Sequence, residues 1–266
     1  MRMSILALAA CLLFAGTAAA QDWAKARLEK SPRHQEWVAV KAGDRTVQSF
    51  IVYPEVSHKA TAVVLIHEIF GLTDWVRGVA DQFAEAGYIA IAPDLLSGMG
   101  PDGGRTVDIP SDRVREHIGK LPPDQITADL NAVADYVTKL PAANGKLVVG
   151  GFCWGGSQTF RFATNRANLD AALVFYGTGT DNQEAIARIR TSVYGFYGGN
   201  DARVNATIPT SEALMKEAGK FYEPVVYEGA GHGFMRSGEQ PEAQEANRDA
   251  REKAWARVKA ILGKIR

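Results

Sequence analysis

One stretch, 146–156, limits the fold of this chain more than any other. Its β-branched first half, Leu147-Val148-Val149, runs straight into Gly151-Phe152-Cys153-Trp154-Gly155, and 157–165 then reads as a helix. A strand that turns at once into a helix, with glycines two positions either side of the apex, is a nucleophile elbow, here with cysteine in place of the usual serine. The glycines have a steric reason to be there. The apex residue is held in a strained conformation, and strand and helix pass so close that a Cβ would obstruct them. Taken alone, the pattern also fits a small buried cysteine beside a tight turn.

The rest of the chain supplies the sheet that such an elbow needs. Segments 36–42 and 46–53 alternate enough to be strands, with Ala42-Gly43-Asp44 as the turn between them. Residues 61–67 form a continuous apolar run, as expected of a central strand buried on both faces. Further strands are predicted at 88–92, 171–176, 192–197 and 224–228, and helices at 74–86, 124–140, 209–219 and 242–265. Residues 97–112 carry glycines and prolines without periodicity, which predicts a loop or partial lid near a site. The alternation predicts one α/β domain over 35–266: a single doubly wound, mainly parallel sheet of about eight strands flanked by helices. Residues 21–34 read as an N-terminal arm or short helix before it.

Charge and composition remove some function classes. Lys plus Arg and Asp plus Glu both number 30, so no net field favours nucleic acid or an anionic membrane surface. Arg2, the apolar segment 5–16 and Ala18-Ala19-Ala20 before Gln21 read as a signal peptide over 1–20, which predicts an exported, periplasmic or secreted protein. The apolar segment is short for a membrane span. Leu8-Ala9-Ala10-Cys11 also fits a lipoprotein box, with Cys11 as the lipid anchor in that alternative. Without the signal peptide Cys153 is the only cysteine, so no internal disulfide is possible, and a thiol kept in an oxidising compartment suggests use. His67-Glu68 follows a strand and lacks a second histidine one turn on, so it is no zinc helix, and no dinucleotide fingerprint is present. No cofactor and no metal are implied.

In a sheet of this kind chemistry gathers at the carboxyl ends of the strands. Three such ends carry Cys153, Asp201 and His232, in the chain order nucleophile, acid, histidine that α/β-hydrolases use. An imidazole beside the thiol can take its proton, and a carboxylate on the other ring nitrogen fixes the tautomer. The backbone amides of Trp154 and Ile69 are placed to hold an oxyanion. Asp201 alone would read as a turn residue. His34, His58 and His117 lie in polar surface stretches.

Five segments carry a wider resemblance: His67-Glu68-Ile69-Phe70-Gly71, Ala92-Pro93-Asp94-Leu95, Gly151-Phe152-Cys153-Trp154-Gly155-Gly156, Gly198-Gly199-Asn200-Asp201 and Gly231-His232-Gly233-Phe234-Met235-Arg236. In this order they resemble the dienelactone hydrolase (carboxymethylenebutenolidase) family over about 36–262. The resemblance implies a triad of Cys153, His232 and Asp201. It also implies that Glu68 holds the resting thiol and takes part in its activation. Arg236 matches one of two arginines that grip a substrate carboxylate in the family. Gly98 stands in the place of the other, with Arg105 as a candidate substitute. The function expected is hydrolysis of small esters or enol lactones through an acyl-enzyme, by a monomer that meets only its small-molecule substrate. A broad carboxylesterase of the same fold and a non-catalytic thiol-bearing binding or redox module are the alternatives.

Overall fold

The computed structural model describes residues 21–265. Residues 1–20, with the predicted signal peptide and Cys11, lie outside the described residues, as does Arg266. The strands are β1 (Gln35–Ala42), β2 (Arg45–Val52), β3 (Ala60–Ile66), β4 (Ile89–Pro93), β5 (Ala143–Phe152), β6 (Ala171–Phe175), β7 (Ser192–Gly198) and β8 (Tyr222–Tyr227). The helices are α1 (Asp22–Glu29), α2 (Asp74–Glu85), α3 (Val114–Gly119), α4 (Pro123–Thr138), α5 (Trp154–Asn165), α6 (Gln183–Ala187), α7 (Ala202–Asn205), α8 (Ile208–Glu217), α9 (Phe234–Ser237) and α10 (Glu245–Gly263).

The strands form one eight-stranded sheet in the order β1-β2-β4-β3-β5-β6-β7-β8. β2 pairs antiparallel with β1 and β4, and every other pairing is parallel. The central strand shows why the sheet needs two helical layers. All seven residues of β3 are buried. Because a strand points successive side chains to opposite faces, Ala62, Val64 and Ile66 pack with Leu130 and Val133 of α4 and Phe160 of α5, while Val63 and Leu65 pack with Phe83 of α2 and Val258 of α10. This is the doubly wound α/β architecture expected, and no described helix is long and apolar enough to cross a membrane.

Element ends differ from expectation where the local signal was weak. The last helix starts at Glu245 rather than 242, after Gln244 as its N-cap. Strand β8 begins at Tyr222, two residues before Pro224, and sits at the edge of the sheet, where a proline is tolerated. The short helices α3, α6, α7 and α9 were not anticipated, being four to six residues each and too short to show a period.

The segment 97–112 is pinned rather than loose. Buried Asp94, just past β4, accepts from Thr106 Oγ1 at 2.7 Å, from the Thr106 N–H at 3.0 Å and from the Leu96 N–H at 3.1 Å. Thr106 Oγ1 also accepts from the Leu72 N–H. Turns at Pro101–Gly103 and Thr106–Asp108 occupy much of what was expected to be irregular.

At the N-terminus, α1 is tied into the domain. Arg33 makes a two-pronged ion pair with buried Asp81 of α2, both contacts at 2.7 Å, and Arg27 reaches Glu239 at 2.5 Å. Glu239 also accepts from Trp75 Nε1 and Gln82 Nε2 and pairs with Arg251.

Candidate active site

The elbow sits where β5 gives way to α5. Cys153 caps the helix with φ 57° and ψ −116°, outside the regions an L-residue favours. Its N–H is committed to the Phe175 carbonyl of β6. A Cβ on Gly155 would overlap the carbonyl oxygens of Ile66 and His67, and one on Gly151 would overlap the Gly155 carbonyl. The end of β3 is therefore pressed against the first turn of α5, and this brings the turn after β3 beside Trp154. Among the described residues, neither the Trp154 N–H nor the Ile69 N–H has a backbone acceptor. For Trp154 this follows from its place at the start of a helix.

Sequence reasoning missed a residue that fixes both of these segments. His67 is fully buried, its Nδ1 lies 2.8 Å from the Glu68 carbonyl, and its Nε2 is 3.4 Å from the Leu95 N–H. Burial pushes its pKa down, so the ring is neutral. Nδ1–H then donates to Glu68 and Nε2 accepts from Leu95. The same ring stacks on Trp154 with centroids 5.5 Å apart. Only the position directly after a buried strand could have hinted at this role.

Three predicted residues converge. His232 Nε2 lies 3.1 Å from Cys153 Sγ, and His232 Nδ1 lies 2.5 Å from Asp201 Oδ2. Asp201, at the end of β7, is buried, and its other oxygen faces the Val204 N–H of α7. Burial is the largest single influence on the His232 ring and opposes its charge. Hydrogen bonds to Cys153 and Asp201, with the charges of both, outweigh it and raise the pKa to about 9.

Glu68 and Arg236 form a second pair beside the first. Arg236 Nε donates to Glu68 Oε2 at 2.9 Å, and the Glu68 side chain is 2 % exposed against 25 % for Arg236. Burial pushes the Glu68 carboxyl up, partly countered by Arg236. No hydrogen bond among the described residues joins Glu68 to Cys153, whose Sγ is on His232. The Arg236 guanidinium also lies 5.3 Å from the centre of the exposed Phe70 ring.

Arg105 is not drawn into this cluster. Its guanidinium lies over Trp37 of β1, 3.4 Å from the ring centre, with no hydrogen bond or ion pair to Cys153, Glu68, His232 or Arg236. Gly98 faces Arg45 instead, whose Nη1 would stand 3.7 Å from a Cβ there.

Tyr176 was also missed. It follows β6 with φ 38°, is fully buried, and lies edge-on to the His232 ring with centroids 5.2 Å apart. A tyrosine at the end of an apolar strand gives no sign in sequence of a left-handed backbone.

Fold and site together define an α/β-hydrolase with a cysteine at the elbow. The chain belongs to the dienelactone hydrolase family, whose model matches residues 47–266, and is a hydrolase of ester or lactone bonds. It is similar to the carboxymethylenebutenolidase of Pseudomonas putida, 28% identical over 211 residues, 76% of this chain and 86% of that one. A Salmonella typhimurium relative to which the same name is attached provisionally is 32% identical over 214 residues, 74% of this chain and 78% of its own. Among solved structures, a provisionally named dienelactone hydrolase of Klebsiella pneumoniae superposes with a TM-score of 0.75 at 24% identity, covering 87% of this chain and 98% of the other. A dienelactone hydrolase-like promiscuous phosphotriesterase from metagenomic libraries has the same fold, with a TM-score of 0.72 at 21% identity over 87% of this chain and 98% of its own.

Proposed function

We propose that this chain is an exported hydrolase of small esters or enol lactones that works through Cys153, His232 and Asp201 and a covalent acyl-enzyme. One observation carries the reading: the continuous contact from Sγ through the imidazole to the buried carboxylate, at 3.1 and 2.5 Å. Below the His232 pKa of about 9 the proton shared by Sγ and the imidazole rests on His232, and Sγ bonds to the ester carbonyl carbon. The carbonyl oxygen becomes an oxyanion between the amides of Trp154 and Ile69, neither of which has a backbone acceptor among the described residues. As the carbon–oxygen bond breaks, the imidazolium returns the proton to the leaving oxygen. Water, losing its proton to His232, then adds to the thioester, and collapse releases the acid and restores the thiol. Asp201 holds the imidazole orientation throughout.

A good leaving group helps this sequence most, because little protonation is then needed as the bond breaks. That favours enol lactones and aryl esters over alkyl esters. Arg236 commits Nε to Glu68 and leaves its terminal nitrogens for a substrate carboxylate beside the apolar face of Phe70. With Gly98 and Arg105 contributing no second cation near Cys153, at most one carboxylate is anchored. This favours a broader small-ester range than a doubly clamped site would have.

The test is steady-state hydrolysis of an aryl acetate and of a carboxylated enol lactone by wild type and Cys153→Ala. Turnover of both, lost about a thousandfold or more in the variant, supports the reading. Equal rates in variant and wild type would make the elbow structural.

A further inference from the structure

Glu239 is a carboxylate that the proposed reaction does not use, with its side chain only 7 % exposed. Four groups converge on it from three helices. Arg27 Nη1 of α1 lies at 2.5 Å, Trp75 Nε1 and Gln82 Nε2 of α2 donate at 3.0 Å each, and Arg251 Nη2 of α10 lies at 3.2 Å. Two cations and two neutral donors replace the hydration that a buried carboxylate loses, so the side chain is a fixed point. The Trp75 ring carries that point toward the elbow. It stands edge-on to Phe152, the residue before Cys153, with centroids 5.0 Å apart.

The backbone of Glu239 closes α9. Its N–H donates to the Arg236 carbonyl at 3.2 Å, and the Gly238 N–H donates to the Phe234 carbonyl at 2.8 Å. A helix of four residues cannot hold itself by its own hydrogen bonds, so α9 takes its place from what anchors its ends. Before it, His232 is held by Asp201, and after it comes Glu239, with Arg236 between them. A shift of Glu239 is therefore a shift of the guanidinium that meets Glu68.

Helix α1 precedes the segment 47–266 shared with the family, yet it is built into this knot. Gln21 Oε1 accepts from the Trp75 N–H at 3.2 Å, and Ala24 and Leu28 are buried. We propose that α1 is a working part of the site: through the Arg27–Glu239 pair it sets the position of Arg236, and so how the enzyme receives a carboxylated ester. Arg27 and Glu239 are positioning residues. The effect on esters rests on the proposal that Arg236 binds a carboxylate.

The Arg27 side chain is 44 % exposed, so Arg27→Met removes the charge without opening the core, and Arg27→Lys restores it. Amide hydrogen exchange at 236–239 is followed in the full chain, with Tm and with steady-state kinetics on an aryl hemisuccinate and an aryl acetate. Arg27→Met should speed exchange at 236–239 about fivefold and raise KM for the hemisuccinate about fivefold relative to the acetate, as expected of a partly exposed cation on a buried carboxylate. The ratio of kcat values should stay in place, and Arg27→Lys should recover most of both effects. Unchanged exchange at 236–239 would overturn the inference. So would exchange rising alike throughout the chain with a lowered Tm, which marks a structural role only. Arg236→Met tests the underlying reading. If it moves the KM ratio and Arg27→Met does not, the inference fails. If it leaves that ratio in place, the carboxylate reading fails, and exchange in Arg27→Met, which needs no turnover, decides the inference by itself.

Discussion

Cys153 is the apex of a turn and, in the function proposed above, also the residue that meets the substrate, and the two demands conflict. A non-glycine residue at its φ and ψ costs about 1–3 kcal/mol, which the contacts of Gly151 and Gly155 hold in place. In the proposed reaction Asp201 acts through His232, and asparagine keeps an oxygen for the Val204 N–H, so Asp201→Asn should leave the fold intact and lower kcat/KM about 10²–10⁴-fold. The pH dependence follows from the same contact. The His232 pKa of about 9 lies above the ordinary imidazole value near 6.5, so the folded protein holds this proton more tightly than the unfolded chain. Stability from the ring is complete below about pH 6.5 and is lost as pH rises through about 9. Wild-type Tm should fall across that window and more steeply than in Asp201→Asn, whose alkaline limb in kcat/KM should also move to lower pH. At this scale the sequence was readable where a residue type has one steric or chemical reason to be present, as with Cys153 and His232. It was silent for Tyr176, because an apolar strand ending in tyrosine reads as ordinary core, and for Arg105, because its partner Trp37 is far away in sequence.

Among the elements, the junction of β3, β5 and α5 sets the site's dimensions. Gly155→Ala would push α5 away from the Ile66 and His67 carbonyls, and we expect a loss of about 2–4 kcal/mol in urea unfolding. Ester hydrolysis should fall more than stability explains, because Trp154 and Ile69 are held together by the same approach. The segment 97–112 makes a contrasting prediction. Thr106→Val keeps the side chain's shape and deletes its bonds to Asp94 and Leu72. It should cost about 1–3 kcal/mol and admit protease within 98–112 at native conditions. The sheet was legible from apolar runs and alternation, since burial on one or two faces writes itself into period two. The pinning of this segment was not, because it depends on a carboxylate after one strand meeting a threonine twelve residues on, a pairing that no periodicity announces.

For the whole molecule, one architecture organises the chain from β1 to α10, and the family likeness spans nearly all of it. That global reading was available from the order of elements alone. How the N-terminal helix is tied down was not, since Arg27 and Glu239 stand 212 residues apart. The same separation bears on how the chain reaches its native state. Glu239 gathers groups from α1, α2 and α10, Arg236 meets Glu68 across 168 residues, and His232 meets Cys153 across 79. Closing long loops is entropically costly before contacts repay it, so such contacts form late. The sheet's hairpin and neighbouring parallel units can assemble first. In stopped-flow refolding, far-ultraviolet circular dichroism should therefore recover ahead of ester hydrolysis, and simultaneous recovery would contradict this order. Catalytic competence is then the last property the chain acquires, and a turnover assay is the most stringent clock of its folding.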